Sequence, residues 1–232
     1  MPSATVRKCL SATGYFGLQL LAGGLVLVGA GWLFGSIADE VVDGEPLTVV
    51  DAQVAAWFHA HAIPSVTQFM LGISAINGIA GISILTVLLA LNFIWRRDWY
   101  WLLGLALAVP GGMLLNLLTK FAFHRKRPVF IDPIVTLSGY SFPSGHTLAS
   151  TVYYGTLAAF LMPRVKTSGQ RVAILLAALL MATLVGLSRI YLGAHFLTDV
   201  VGAFAEGLAW LALCLVAVAT LRRRQATSES AD

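Results

Sequence analysis

Three short stretches of this 232-residue chain gather side chains suited to one chemistry. Lys120 is followed, after six intervening residues, by Arg127 and Pro128; Phe142-Pro143-Ser144-Gly145-His146 comes next; Ser188-Arg189 then precedes His195 and Asp199. Lys120, Arg127 and Arg189 supply a point charge and two forked donors, which match a tetrahedral oxyanion. Ser144 and Gly145 stand where a helix is predicted to begin, so unbonded backbone N–H groups and the helix dipole favour an anion there. His195 and Asp199, four apart, are predicted to meet on one helix face. Asp199 then takes the proton of one imidazole nitrogen and leaves the other as a lone-pair nucleophile. His146 reaches the same place from another segment and can protonate a leaving oxygen. Together these groups make a complete set for phosphoryl transfer that uses cationic side chains in place of a metal and needs no cofactor.

Each group taken alone has a plainer reading. A histidine beside an apolar helix is commonly structural, and an arginine at a helix end commonly snorkels to the headgroups. Basic residues beside Pro128 can simply meet anionic lipid. Independent snorkelling, however, gives no reason for His146, His195 and Asp199 to share a face with the bases.

The elements that must position these residues follow from composition. The chain is 58% hydrophobic and 11% charged, with a mean hydropathy of +0.81. Soluble domains carry about 25% charged residues, so a water-soluble globule and a disordered chain are both excluded. Charges divide the sequence into six uncharged runs, Cys9–Ala38, Ala62–Trp95, Trp99–Thr119, Thr147–Pro163, Val172–Ser188 and Val200–Leu221, the last interrupted only by Glu206. A spanning helix needs ~20 residues, so the expectation is an all-α polytopic membrane protein with six transmembrane helices, the fourth and fifth runs being short. The whole of residues 1–232 reads as a single integral membrane domain, with a motif core at 120–199 and a polar tail at 225–232. Glycines at Ala22–Gly24 and Gly78–Gly81 read as close helix contacts in lipid and not as breaks. The 30-residue run from Cys9 is too long for a cleavable signal and reads as a retained span. Cys9 and Cys214 form no disulfide framework, and no Cys/His spacing resembles a zinc site.

The net charge of +4 suggests nucleic acid, but in a membrane chain the placement of the bases decides. Six crossings put Arg7, Lys8, Arg96, Arg97, Arg164, Lys166, Arg171 and Arg222–Arg224 on one side, ten of the fifteen bases, and Asp39, Glu40, Asp43, Glu45 and Asp51 on the other. The basic side is cytoplasmic by the positive-inside rule, and both termini with it. Lys120, Arg125, Lys126, Arg127 and Arg189 break that rule together, at the face where the three motif stretches converge. Val49–His61 is predicted to be a short interfacial helix with Trp57 at headgroup level, His59 and His61 being solvated.

The three stretches resemble the three-part signature of the type 2 phosphatidic acid phosphatase family at every motif position, over Lys120–Asp199. The resemblance implies a phosphohistidine mechanism with His195 as nucleophile, Asp199 as its orienter and His146 as general acid. It also implies phosphate binding by Lys120, Arg127, Ser144, Gly145 and Arg189, with no metal required. His124, Arg125 and Lys126 lie between signature positions and meet either a second phosphate or headgroup, or only solvent. Asp132 and Tyr140 can shape the entrance. Glu206, within the last run, is either a structural hydrogen-bond member or a tuner of the site.

The expected activity is therefore hydrolysis of a lipid phosphate or diphosphate at the outer face of a bacterial inner membrane, the site facing the periplasm. Undecaprenyl diphosphate ranks first as substrate, by resemblance, and phosphatidylglycerophosphate or phosphatidic acid second. Besides substrate and bilayer no partner is indicated: neither nucleic acid nor an obligate protein. A non-enzymatic lipid-phosphate binding or transport protein would use the same basic plane without the His195–Asp199 pair. A haloperoxidase would need bound vanadate and a soluble body.

Overall fold

Proline, glycine and short polar clusters decide where the apolar runs begin and end as helices. In the computed structural model, which describes residues 4–44 and 46–228 and side chains from residue 16 to 225 apart from residue 45, the helices are α1 (Ala4–Asp43), α2 (Pro46–Ala60), α3 (Pro64–Ile76), α4 (Ile79–Trp95), α5 (Trp99–Phe123), α6 (Gly145–Leu161), α7 (Ser168–Tyr191) and α8 (Leu197–Ser228). Among the described residues there is no strand. Glu45 and the last four residues of the polar tail lie outside the described residues, as do the side chains of Arg7, Lys8 and Cys9. The first four tail residues continue α8.

Local chemistry accounts for several boundaries. Pro64 opens α3, where a missing N–H costs nothing. Thr167 and Gln170 form a reciprocal capping box at the start of α7. His124, in the left-handed conformation at φ 50°, closes α5.

Four helical stretches are long and apolar enough to cross a bilayer, Phe16–Asp43, Trp99–Phe123, Ser168–Tyr191 and Leu197–Gln225, and the pair α3–α4 makes a fifth if it crosses as one bent span. The protein is therefore an all-helical polytopic membrane protein. The run Ala62–Trp95 is not one continuous helix: α3 and α4 meet at 48°. This corrects the reading of Gly78–Gly81 as a simple contact stripe. Asn77 donates from Nδ2 to the Ile73 carbonyl at 3.0 Å and receives the Tyr154 hydroxyl at 2.9 Å, which holds the end of α3 open. A Cβ on Gly81 would overlap the Ile76 carbonyl, so the tight corner needs glycine there. The other glycine stretch behaves as expected, with Gly23 pressed against Val216 of α8.

Helix α6 is the axis of the fold and packs on α4, α5, α7 and α8, while α1 lies along α8. Thr147, Ser150, Thr151 and Thr156 on α6 are buried. Thr151 and Thr156 return their hydroxyls to carbonyls one turn back at 2.8 and 2.7 Å, which satisfies them away from water. Protein packs around α6 on several sides, which is why its sequence can carry these buried hydroxyls. The central apolar cluster includes Phe93, Leu105, Leu148, Val152 and Leu211. It fixes the helix ends from which the site is built.

Candidate active site

All three motif stretches arrive at one end of the bundle. Lys120 is in the last turn of α5, His146 in the first turn of α6, Arg189 in the last turn of α7, and Asp199 in the first turn of α8. Lys120, Arg127, Gly145, His146, Arg189 and His195 line one cavity of about 410 Å³. The α3–α4 corner forms its opposite wall through Asn77, Gly78 and Ile79, an element the sequence reading did not connect with the site.

His195 does not lie on a helix, as its spacing from Asp199 had predicted. It sits in the turn between α7 and α8, which reverses at Gly193 (φ 68°) with the Phe130 ring packed against it. The pair still forms, because the turn folds back on the start of α8: His195 Nδ1 is 3.3 Å from Asp199 Oδ2. The same oxygen receives the Phe196 N–H at 2.9 Å and the Ser141 hydroxyl. On the far side of the ring, Arg127 Nη1 donates toward His195 Nε2 at 3.1 Å and to the Ala194 carbonyl at 2.8 Å. A carboxylate at Nδ1 and a guanidinium at Nε2 assign the tautomer: Nδ1 carries the proton and Nε2 the lone pair. Burial, with further help from Arg127 and Lys120 and against the pull of Asp199, pushes the imidazole down to about 4. His195 is therefore neutral at physiological pH.

Lys120 and Arg127 are held by backbone carbonyls and Arg189 by a hydroxyl, none of them by a direct carboxylate partner among the described residues, which leaves their charge directed toward the cavity. Lys120 Nζ donates to the carbonyls of Tyr140 and Ser141 at 3.0 and 3.1 Å. Arg189 Nη1 donates to the Ser74 hydroxyl, and its buried Nε has no partner. His146 Nε2 lies 3.4 Å from where a Cβ on Gly78 would stand, so the corner glycine makes room for the ring. Ser144 is fully buried behind Gly145; its N–H donates to the Asp199 carbonyl at 3.0 Å, and its hydroxyl accepts from Thr147. The first free N–H groups of α6 are thus those of Gly145 onward.

Several residues do more than their sequence context suggested. Arg125 faces neither solvent nor the cavity; its guanidinium bridges Asp199 and Asp51. Asp51, counted among the outer acidic residues, is 1% exposed. Its signal was present as the only acid within an otherwise uncharged helix, a place where an unpaired carboxylate is costly. Glu206 takes the structural alternative, accepting Thr119 Oγ1 at 2.9 Å and Asn116 Nδ2 at 3.4 Å. Asn116 also reaches the Pro143 carbonyl at 3.3 Å, which ties Glu206 to the loop before α6. His59 and His61 are not merely solvated. His59 binds Asp132 at 2.9 Å and stacks on Phe130, while His61 binds the Trp57 carbonyl at 2.8 Å. Tyr140 packs edge-on against Phe121 and His124.

A neutral imidazole with a buried carboxylate behind it, faced by bases in a cavity at one end of a helical membrane bundle, is an arrangement that can carry out phosphoryl transfer. Comparison with known proteins agrees. Residues 99–223, more than half of the chain, match the PAP2 superfamily, and the chain belongs to that family. Phosphatidylglycerophosphatase B of Bacillus subtilis (strain 168) is 37% identical over 147 residues, which cover 62% of this chain and 71% of that protein. The crystal structure of a transmembrane PAP2-type phosphatidylglycerolphosphate phosphatase from Bacillus subtilis matches 82% of this chain and 94% of its own, at 30% identity and a TM-score of 0.75. That of Aquifex aeolicus LpxE matches 72% and 94%, at 24% identity and a TM-score of 0.57, a likeness of fold. The protein is an integral membrane lipid phosphatase of the phosphatidylglycerophosphatase-like kind.

Proposed function

We propose that the protein hydrolyses phosphatidylglycerophosphate at the periplasmic face of a bacterial inner membrane, through a phosphohistidine on His195. The observation that carries the chemistry is the neutral His195 imidazole, proton at Asp199 and lone pair toward the cationic cavity. The similarity to phosphatidylglycerophosphatase B supports the substrate and puts it ahead of undecaprenyl diphosphate, reversing the order drawn from the sequence. Phosphatidic acid, a smaller phosphomonoester, follows.

In this reading the phosphomonoester enters with its phosphate among Lys120, Arg127 and Arg189. The partnerless Arg189 Nε and the N–H groups at Gly145 receive its oxygens, while Ser144 holds the start of α6 in place. Arg127 moves from His195 Nε2 to the phosphate, which exposes the lone pair. Nε2 attacks phosphorus as the bond to the lipid oxygen breaks, and His146 gives that oxygen a proton. His146 then takes a proton from water, the oxygen attacks the phosphohistidine, the P–N bond breaks, and inorganic phosphate leaves with His195 restored. The three bases neutralise the charge that magnesium neutralises in many phosphoryl-transfer sites.

The test is phosphate release in detergent across phosphatidylglycerophosphate, undecaprenyl diphosphate and phosphatidic acid, with and without excess EDTA. The expected result is the highest kcat/KM with the first and unchanged rates with chelator. Preference for the diphosphate would restore the original order, and loss of activity with EDTA, restored by magnesium, would overturn the mechanism.

The proposed topology has six crossings: α1, bent α3–α4, α5, α6, α7 and α8, with both termini cytoplasmic. At ~1.5 Å per residue the 17-residue α6 spans about 25 Å, enough for most of the hydrocarbon core. Asp98 binds both Arg96 and Arg164, which gathers the loops of the proposed cytoplasmic end. In a variant with Cys9 and Cys214 replaced, cysteines at Ser138 or Tyr140 should react with an impermeant thiol reagent in intact cells, and cysteines at Ser168 or Gln170 should not. The opposite labelling pattern would invert the orientation and leave the chemistry untouched.

A further inference from the structure

We propose that Arg125 is a positioning residue for the reaction: gripped between Asp51 of α2 and Asp199 of α8, it fixes the Asp199 carboxylate toward His195 and makes α2 part of the catalytic apparatus. This rests on the reading of His195 and Asp199 as nucleophile and orienter.

The geometry divides the Asp199 carboxylate in two. Oδ2 serves His195, the Phe196 N–H and Ser141, whereas Oδ1 is taken by Arg125 Nη1 at 2.5 Å. Nη1 also donates to Thr198 Oγ1 at 2.7 Å, and Nη2 reaches Asp51 Oδ2 at 2.7 Å. The guanidinium plane is held over the Phe196 ring, 4.5 Å from its centre. Asp51 completes the frame from α2: its Oδ1 accepts the Thr198 N–H at 2.9 Å, and its Oδ2 also accepts the Thr198 hydroxyl. The Arg125 carbonyl accepts the Ser141 N–H at 2.7 Å, so the same residue also places the hydroxyl that bonds Asp199.

A buried carboxylate that loses its cation is left with an uncompensated charge and one oxygen free to turn. Only a rigid fork satisfies two carboxylates on different helices at once; an ammonium reaches one of them. Arg125 is absent from the cavity lining, so it acts on the reaction through Asp199 and without touching the substrate. The inward-facing Asp51 thereby has a purpose that its place among the outer acids hid.

The experiment is a double-mutant cycle on the best substrate of the panel above, with kcat and KM measured separately and folding checked by thermal melting in detergent. Arg125→Lys should lower kcat by ~10–100-fold, the scale of a small misplacement of a reacting group, and leave KM within about threefold. Asp51→Asn should lower kcat in the same sense by a smaller factor. On an Asp199→Asn background, each change should cost less than about threefold more, because residues acting as a unit are not additive. A parent-like kcat, an effect confined to KM, or losses that multiply in full across the cycle would each overturn the proposal. If Arg125→Lys does not fold, the nearly isosteric Asp51→Asn carries the same cycle. Parent-like turnover by Asp199→Asn alone is a different result, which refutes the reading of the site and not the role of Arg125 within it.

Discussion

Replacing His195 with alanine should abolish turnover of every substrate, whatever its leaving group. The buried imidazole has one nitrogen committed to Asp199, and its other nitrogen faces Arg127 on the cavity wall as a neutral lone pair. Without it no phospho-enzyme can form, and direct attack by water would have to occur in a cavity shaped for another nucleophile. Losing the nucleophile of such a unit costs about 10⁴–10⁶-fold in kcat. Brief mixing with radiolabelled substrate and acid-free quenching should leave label on the parent, stable to base and labile to acid, and none on His195→Ala. A variant that keeps even a tenth of the parent rate would remove His195 from the mechanism. The depressed proton affinity of His195 adds a pH signature. Because this imidazole is neutral down to about 4, the fall of kcat/KM between pH 7 and 5 should be no steeper than the second ionisation of the substrate phosphate, near ~6, accounts for. An added ionisation at the ordinary histidine value would contradict its burial.

Replacing His146 should give a loss that depends on the leaving group. The ring projects from the first turn of α6 into the cavity, across from His195 and beside the α3–α4 corner. An alkyl alkoxide cannot depart without a proton, whereas a nitrophenolate can. General acid catalysis contributes ~10²–10⁴-fold, so that loss is expected for phosphatidylglycerophosphate and phosphatidic acid with His146→Ala. A much smaller loss is expected for an aryl phosphate, and an intermediate one for a prenyl diphosphate, whose leaving group is itself a phosphate. Equal losses across the series, measured in one detergent, would show that His146 binds phosphate and does not supply a proton.

The class of protein was readable from one dimension because the constraints behind it are local. Only helices satisfy their own backbone in hydrocarbon, so long uncharged runs report α1, α5, α7 and α8 directly. Helix ends lie at one of two membrane faces, so bases and histidines placed beside run boundaries reveal a shared plane before any contact is known. Lys120, Arg127, His146, Arg189, His195 and Asp199 could be grouped that way, and all of them stand at one end of the bundle.

What tertiary structure decided is how those groups are held. Spacing four apart suggested a helical face for His195 and Asp199, yet the pair is made by a turn reversing at Gly193, which depends on Phe130 from a distant loop. The corner at Asn77–Gly78 depends on Tyr154 of α6, a partner 77 positions away. Whether Asp51 faces water or Arg125 cannot be read from α2 itself, because its partners Arg125 and Thr198 are brought to it by packing of α2 on α8. Hydropathy records which surfaces meet lipid, a property each segment carries by itself. Hydrogen bonds between segments are decided only when the helices pack, and in this protein those bonds orient the His195 imidazole.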